Sequence, residues 1–165
     1  MHALPEPRKK RIKQIFLNIK VIKELVMDLE IDEVKAFIKA QENVRVAYLF
    51  GSLAKGRASH LSDVDIAVLL DGRLDKQESF DLKLGLINGI SSILKTDRLD
   101  VVVMNNAPLL LNYNIIREGK ILDSKDEGER VMFETHILSR YLDRMYYDER
   151  HIKVGIKRIA ERGIL

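Results

Sequence analysis

Leu49-Phe50-Gly51-Ser52, ten residues, then Asp63-Val64-Asp65-Ile66 is the stretch on which the fold turns. Val44 to Phe50, just upstream, is a compact apolar run ended by Gly51, which reads as a buried strand. Asp63 to Leu70 reads as a second strand, with Ile66, Val68 and Leu70 alternating onto one face. About a dozen residues join the two. A small mixed sheet in an α/β (α+β) domain follows, with helices expected on one face.

Working outward, the apolar spacing of Ile12, Ile15, Phe16, Ile19, Ile22 and Val26 predicts a first helix, and Ile31, Val34, Phe37 and Ile38 a second. Downstream of the second strand, Asp75 and Glu78 form a capping box for a helix with an expected buried stripe of Phe80, Leu84, Ile87, Ile90 or Ser91, and Leu94. Gly85 and Gly89 weaken that helix and suit the close approach of another element. Leu99 to Met104 predicts a third strand. Pro108 starts a helix that Gly119 stops, and Lys120 to Asp123 reads as a short strand. Ser124 and Glu127 suggest another capping box, opening a long helix with Val131, Ile137 or Leu138, Tyr141, Leu142 and Met145 on its apolar side. Three parts are expected: N-terminal helices over 1–41, a core over 42–124, and a C-terminal helical extension over 125–165 packed on that core.

The 165 residues suit one compact domain. A net charge of +3 is too small to mark a nucleic-acid binder. The basic cluster Arg8, Lys9, Lys10, Arg11 and Lys13 reads first as the wet face of a helix. No cysteine is present, which excludes disulfides, thiolate nucleophiles and Cys-ligated zinc. No apolar run approaches the roughly 20 residues that span a bilayer, so a cytoplasmic protein without membrane contact is expected.

The chemistry gathers around the opening stretch. Gly51 lets the chain turn sharply and lets a ligand reach the backbone, and a helix starting at Ser52 would aim free N–H groups and a hydroxyl at one spot, as phosphate-binding turns do. Gly-Ser also ends many strands in ordinary turns. Asp63 and Asp65, two apart on a strand, point to the same side. Paired carboxylates repel and raise each other's pKa, a cost that a divalent cation removes; magnesium takes one or two carboxylates plus substrate phosphates. The same pair also suits the wet end of a strand. Asp100 interrupts the apolar run Leu99-Asp100-Val101-Val102-Val103 and supplies a third carboxylate if that strand lies beside the second. An edge-strand Asp facing solvent is the alternative. Asp97 is a rival that falls before the strand.

Together, Gly51-Ser52, the ten-residue gap, Asp63-x-Asp65 and the later Asp100 resemble the nucleotidyltransferase pattern of the DNA polymerase β superfamily. Gly-Ser-Leu-Ala-Lys-Gly-Arg-Ala-Ser-His-Leu-Ser-Asp-Val-Asp-Ile-Ala-Val, residues 51 to 68, is similar to its minimal nucleotidyltransferase (MNT) branch, whose members include antitoxins paired with HEPN-domain toxins. The resemblance covers Val44 to Asp123 well and implies a polymerase-β-like fold, with Gly51 and Ser52 on the triphosphate of ATP. It further implies that Asp63, Asp65 and Asp100 act as the catalytic and metal-binding acids. Two magnesium ions would stabilise the attacking and leaving oxygens. Asp100 would help remove the proton of the acceptor hydroxyl. Transfer of AMP to a tyrosine of a HEPN toxin, in a hetero-oligomer with it, is the implied function. The alternatives are a non-catalytic antitoxin that inhibits by binding, or a nucleotidyltransferase acting on a small molecule or RNA. Lys55 stands where relatives frequently carry Arg, and a point charge replaces a planar fork there. His2, His60, His136 and His151 show no ligand spacing, and Arg57 matches the pattern less securely.

Overall fold

The computed structural model describes Leu17, residues 28–56 and residues 62–162. The helix expected from Ile12 to Val26 lies, apart from Leu17, outside them. The elements run α1 (28–39), β1 (Val44–Phe50), α2 (Gly51–Ala54), β2 (Val64–Leu70), α3 (Lys76–Leu94), β3 (Leu99–Val103), α4 (Leu109–Glu118), β4 (Lys120–Ser124) and α5 (Glu127–Arg162), with one 3-10 turn at Met104–Asn106. No helix among the described residues is long and apolar enough to cross a membrane.

The four strands form one mixed sheet in the order β3-β2-β1-β4. β1 is antiparallel to both neighbours, while β2 and β3 are parallel and joined through α3. The helices occupy both faces, not one. On the first face Ile66, Val68, Leu70 and Val101 meet Val34 and Ile38 of α1 and Leu86 and Ile90 of α3. On the second, Val46, Tyr48, Ala67 and Leu69 meet Met104, Ile115 of α4 and Phe133 of α5. The alternation of Ile66, Val68 and Leu70 is half of the apolar content of β2. Ala67 and Leu69 are buried as well, and a strand read as a continuous apolar run is covered on both sides.

α3 carries the expected capping box: Asp75 accepts from the Glu78 amide, and Glu78 from the Asp75 amide, each at 2.8 Å. Its buried stripe is rotated from the expected one. Phe80 and Leu84 are 55% and 42% exposed, while Leu86 and Ile90 are buried with Ile87 and Leu94 partly so. Gly89 explains the rotation. A Cβ there would lie 2.2 Å from Cζ of Phe37, so α1 packs against bare backbone at a position that apolar spacing counts as empty. Gly85 has open space beside it. Gly119 stops α4 as expected but with φ −76°, so left-handed geometry is not the reason; an added Cβ would meet the Ile115 carbonyl at 2.5 Å.

The cap of α5 is Asp126, whose Oδ1 accepts from the Glu129 amide at 3.0 Å, rather than Ser124. α5 is tied to β1 by a partly buried network: the Tyr48 hydroxyl donates to Glu134 at 2.7 Å, and Arg130 donates to the same carboxylate at 2.8 Å. Burial, then the hydrogen bond to Glu134, pushes the Tyr48 phenol well above its usual range. Ile137 is buried and Tyr141 stacks on Tyr113 of α4 with ring centroids 3.7 Å apart. Ile137 and Tyr141 thus face inward as expected, with Phe133 beside them, while Val131, Leu142 and Met145, also expected inside, are exposed, as is Leu138, the alternative to Ile137.

Candidate active site

Three adjacent strands set out the site as one row. Phe50 of β1 pairs with Asp65 of β2, and Asp65 pairs with Asp100 of β3. Residues in a row share a face, and the alternation of buried neighbours places all three on the α4 side of the sheet: Val102 and Ala67 belong to that core, Val101 and Ile66 to the opposite one. The parallel β2–β3 register thus brings Asp100 beside Asp65, and both expectations for it hold, since β3 is an edge strand and Asp100 is exposed. Asp63 is exposed and lies two residues before Asp65, just ahead of the strand. Asp97 is exposed and precedes β3, away from the row.

Asp65 is partly buried. Its carboxyl is held above the usual range by that burial first, then by the charges of Asp100 and Asp63. Among the described residues no three carboxylates or imidazoles stand close enough together to hold a metal ion between them. Magnesium does not need three, since water and phosphate oxygens complete its shell around one or two carboxylates. The donor set is hard oxygen, and the repulsion at Asp65 is the kind a cation relieves, so the residues fit the ion.

Gly51 sits against this row. It has φ +71°, a left-handed conformation that glycine adopts freely, and an added Cβ would fall 1.9 Å from Oδ2 of Asp65. The turn therefore needs glycine for two independent reasons, and the second ties it to Asp65. The short α2 begins at Gly51 itself, one residue before the expected start, with Ser52 in its first turn.

Beside Gly51 an open pocket of about 320 Å³ is lined by Phe50, Gly51, Lys55, Asn114, Arg117 and Glu118. Lys55 and Arg117 both pair with the Glu118 carboxylate and hold it below its usual range, Lys55 contributing first. Lys55 thus has an acid partner instead of standing free in solvent. Arg57 and His60 lie outside the described residues. Asn114, Arg117 and Glu118 are the residues that the motif reading missed. Their signal was a polar set at i, i+3 and i+4 on α4, a helix that opens Leu109-Leu110-Leu111 and ends at Gly119.

The chain is similar to several known proteins. Two relatives are named protein adenylyltransferase MntA. The one from Aphanizomenon flos-aquae is 28% identical over 106 residues, 58% of this chain and 67% of its own. The one from Shewanella oneidensis is 27% identical over 115 residues, 68% of this chain and 78% of its own. A toxin-antitoxin structure with AMP-PNP contains a chain 25% identical to this one, with a TM-score of 0.59, covering 77% of this chain and 98% of that one. A chain of the complex between a tri-AMPylated Shewanella oneidensis HEPN toxin and an MNT antitoxin, at 22% identity and a TM-score of 0.56, shares the fold over 78% of this chain and 98% of its own length. The family model for the polymerase beta nucleotidyltransferases matches residues 32–128, from α1 to the start of α5 and including every acid of the row. With more than half of its length in that match, the chain belongs to the polymerase beta nucleotidyltransferase family.

Proposed function

We propose that this protein moves AMP from ATP to a hydroxyl, a tyrosine by preference, on a HEPN-domain toxin, and so acts as its antitoxin. The observation that carries the reading is the row Phe50–Asp65–Asp100 with the Gly51 backbone against Asp65. It joins a turn that can accept phosphate to a cluster of acids whose mutual repulsion needs a counter-charge. The names of the two relatives and the nucleotide-bound complex point the same way.

In this reading residues 42–124 are the catalytic core, 1–41 its N-terminal helices and 125–165 a packed extension. Gly51 and Ser52 hold the triphosphate, and Asp63, Asp65 and Asp100 hold magnesium, two ions in all. Magnesium, when bound, supplies charge neutralisation at the reacting phosphate. Asp100 takes the proton of the acceptor hydroxyl as its oxygen bonds to the α-phosphorus; the bond to the bridging oxygen breaks and pyrophosphate leaves. In this reading the reaction takes place in the cytoplasm, in keeping with a sequence free of cysteine.

The test is intact-mass spectrometry of the HEPN partner after incubation with this protein, ATP and magnesium. One or more added AMP masses, absent with Asp63→Asn, is the expected result. Suppressed toxicity with no mass change, retained by Asp63→Asn, would make this an antitoxin that acts by occlusion. AMP found on RNA or a small molecule and never on the partner would move the acceptor.

A further inference from the structure

One cluster beside the proposed nucleotide site has no role in the reading above. Lys55 caps the C-terminus of α2, and Arg117 sits on the last turn of α4; the two elements bring opposite walls of the pocket together at Glu118. Both cations spend their charge on one carboxylate. The ensemble is half in water, with side-chain exposures of 42% for Lys55, 53% for Arg117 and 30% for Glu118. Ion pairs so exposed hold weakly and exchange partners readily. The Arg117 guanidinium also lies 5.3 Å from the centroid of Tyr113, which stacks on Tyr141, so it keeps an aromatic contact when released.

We propose that Glu118 is an internal placeholder for phosphate: the polyphosphate tail of the nucleoside triphosphate displaces its carboxylate and takes Lys55 and Arg117 for itself. The inference rests on the nucleotide binding at Gly51 and Ser52. The carboxylate offers one charge and two oxygens, whereas the tail brings several of each and matches the guanidinium fork bidentately. Gly51, at the edge of the same pocket, leaves the backbone side open to the incoming tail. Glu118 then has two effects of opposite sign. It keeps both cations aimed into an otherwise unfilled pocket, and it competes with the ligand for them. Arg117 becomes a binding residue and Glu118 a positioning residue that lowers affinity.

The opposed signs make the test. The full-length protein is titrated by calorimetry with ATP plus magnesium, and separately with inorganic tripolyphosphate, as parent, Arg117→Gln, Arg117→Lys, Glu118→Gln and Glu42→Gln. Glu42 is exposed at the other end of β1 and controls for simple loss of a negative charge. Arg117→Gln should weaken both ligands about tenfold, with Arg117→Lys recovering part of the loss. Glu118→Gln should tighten both by roughly two- to fivefold, and Glu42→Gln should change neither. Unchanged or weaker binding in Glu118→Gln overturns the placeholder, as does equal tightening in Glu42→Gln. Those results, with ATP still bound by the parent, defeat this inference alone. ATP binding by none of the proteins would defeat the nucleotide site with it.

Discussion

Asp65 and Asp100 are register partners on the parallel strands β2 and β3, so the chain holds two carboxylates on neighbouring backbones, facing the same side. A fold accepts that juxtaposition at a cost: the Asp65 carboxyl, raised first by its own burial, is raised further by the charge of Asp100 and then of Asp63.

Neutralising Asp65 should therefore separate activity from stability. Asp65→Asn is expected to lose AMP transfer by about a hundredfold or more. Its Tm at neutral pH should hold or rise, because desolvation and the Asp100 and Asp63 charges no longer oppose an ionised group. The sign follows from linkage: a carboxyl raised in the folded state weighs against folding above that raised value and ceases to weigh once protonated. Any Tm gain should accordingly shrink as pH is lowered through the carboxylate range. A Tm that falls at neutral pH, read by calorimetry, would contradict this account of Asp65.

Gly51 should tolerate no side chain. Gly51→Ala places a Cβ on Oδ2 of Asp65 and strains a backbone at φ +71°. We expect nucleotide affinity to fall sharply, and further in Gly51→Val. Ser52→Ala, which leaves the turn intact, should cost about ten- to a hundredfold, the worth of one hydrogen bond to a charged group. Equal affinities in Gly51→Val and the parent would make the turn structural only.

At the other end of β2, Asp71 is buried and pulled well below the usual carboxylate range, first by the Arg73 guanidinium, then by the Arg73 amide and by Arg45, whose Nη2 donates at 2.5 Å. A depressed carboxyl stabilises the fold above its ordinary value near 4, and the benefit is lost as pH falls below it. Asp71→Asn should lower Tm at pH 7 while narrowing its difference from the parent near pH 3. A difference that stays constant across that window would mean that Asp71 acts through packing and not charge.

Gly89 predicts a packing effect far from the site. Gly89→Ala gains helix propensity of about 1 kcal/mol but drives a methyl into the Phe37 ring. The clash should win, with a net loss of Tm. Phe37→Leu in the Gly89→Ala background should recover part of it. Stabilisation by Gly89→Ala alone would show that the ring moves aside freely.

Much of the fold was legible because β1, β2 and the capping box of α3 are local signals. Apolar runs closed by Gly51, and an Asp three residues before a Glu, carry their meaning within a few positions. What escaped depends on distance. The rotated stripe of α3 turns on Gly89 meeting Phe37, and the exposure of Leu138 and Leu142 on which side of α5 meets α4. The placement of helices on both faces was written in Ala67 and Leu69, which alternation alone discounts. At the site, the acids and the Gly-Ser turn announce themselves as a motif. Arg117 and Glu118 do not, because their proximity to Lys55 exists only once α4 docks beside α2.

The position of β4 has a consequence in time. β1 finds β2 just across a short connection, but its other edge waits for β4, which joins at Ala47↔Asp123 after the whole core segment has been made. Closing so long a loop carries an entropic cost that the β1–β2 pairing does not, so it should come later. Gly119, between α4 and β4, lies close to the Leu49 carbonyl, so that the same late step presses the end of α4 against β1. Pulsed hydrogen exchange should find β1–β2 amides protected before those of β4. The Phe50–Asp65 part of the row would then form first, Asp100 would join once α3 has carried β3 to β2, and the wall bearing Arg117 and Glu118 would be the last part of the pocket to arrive.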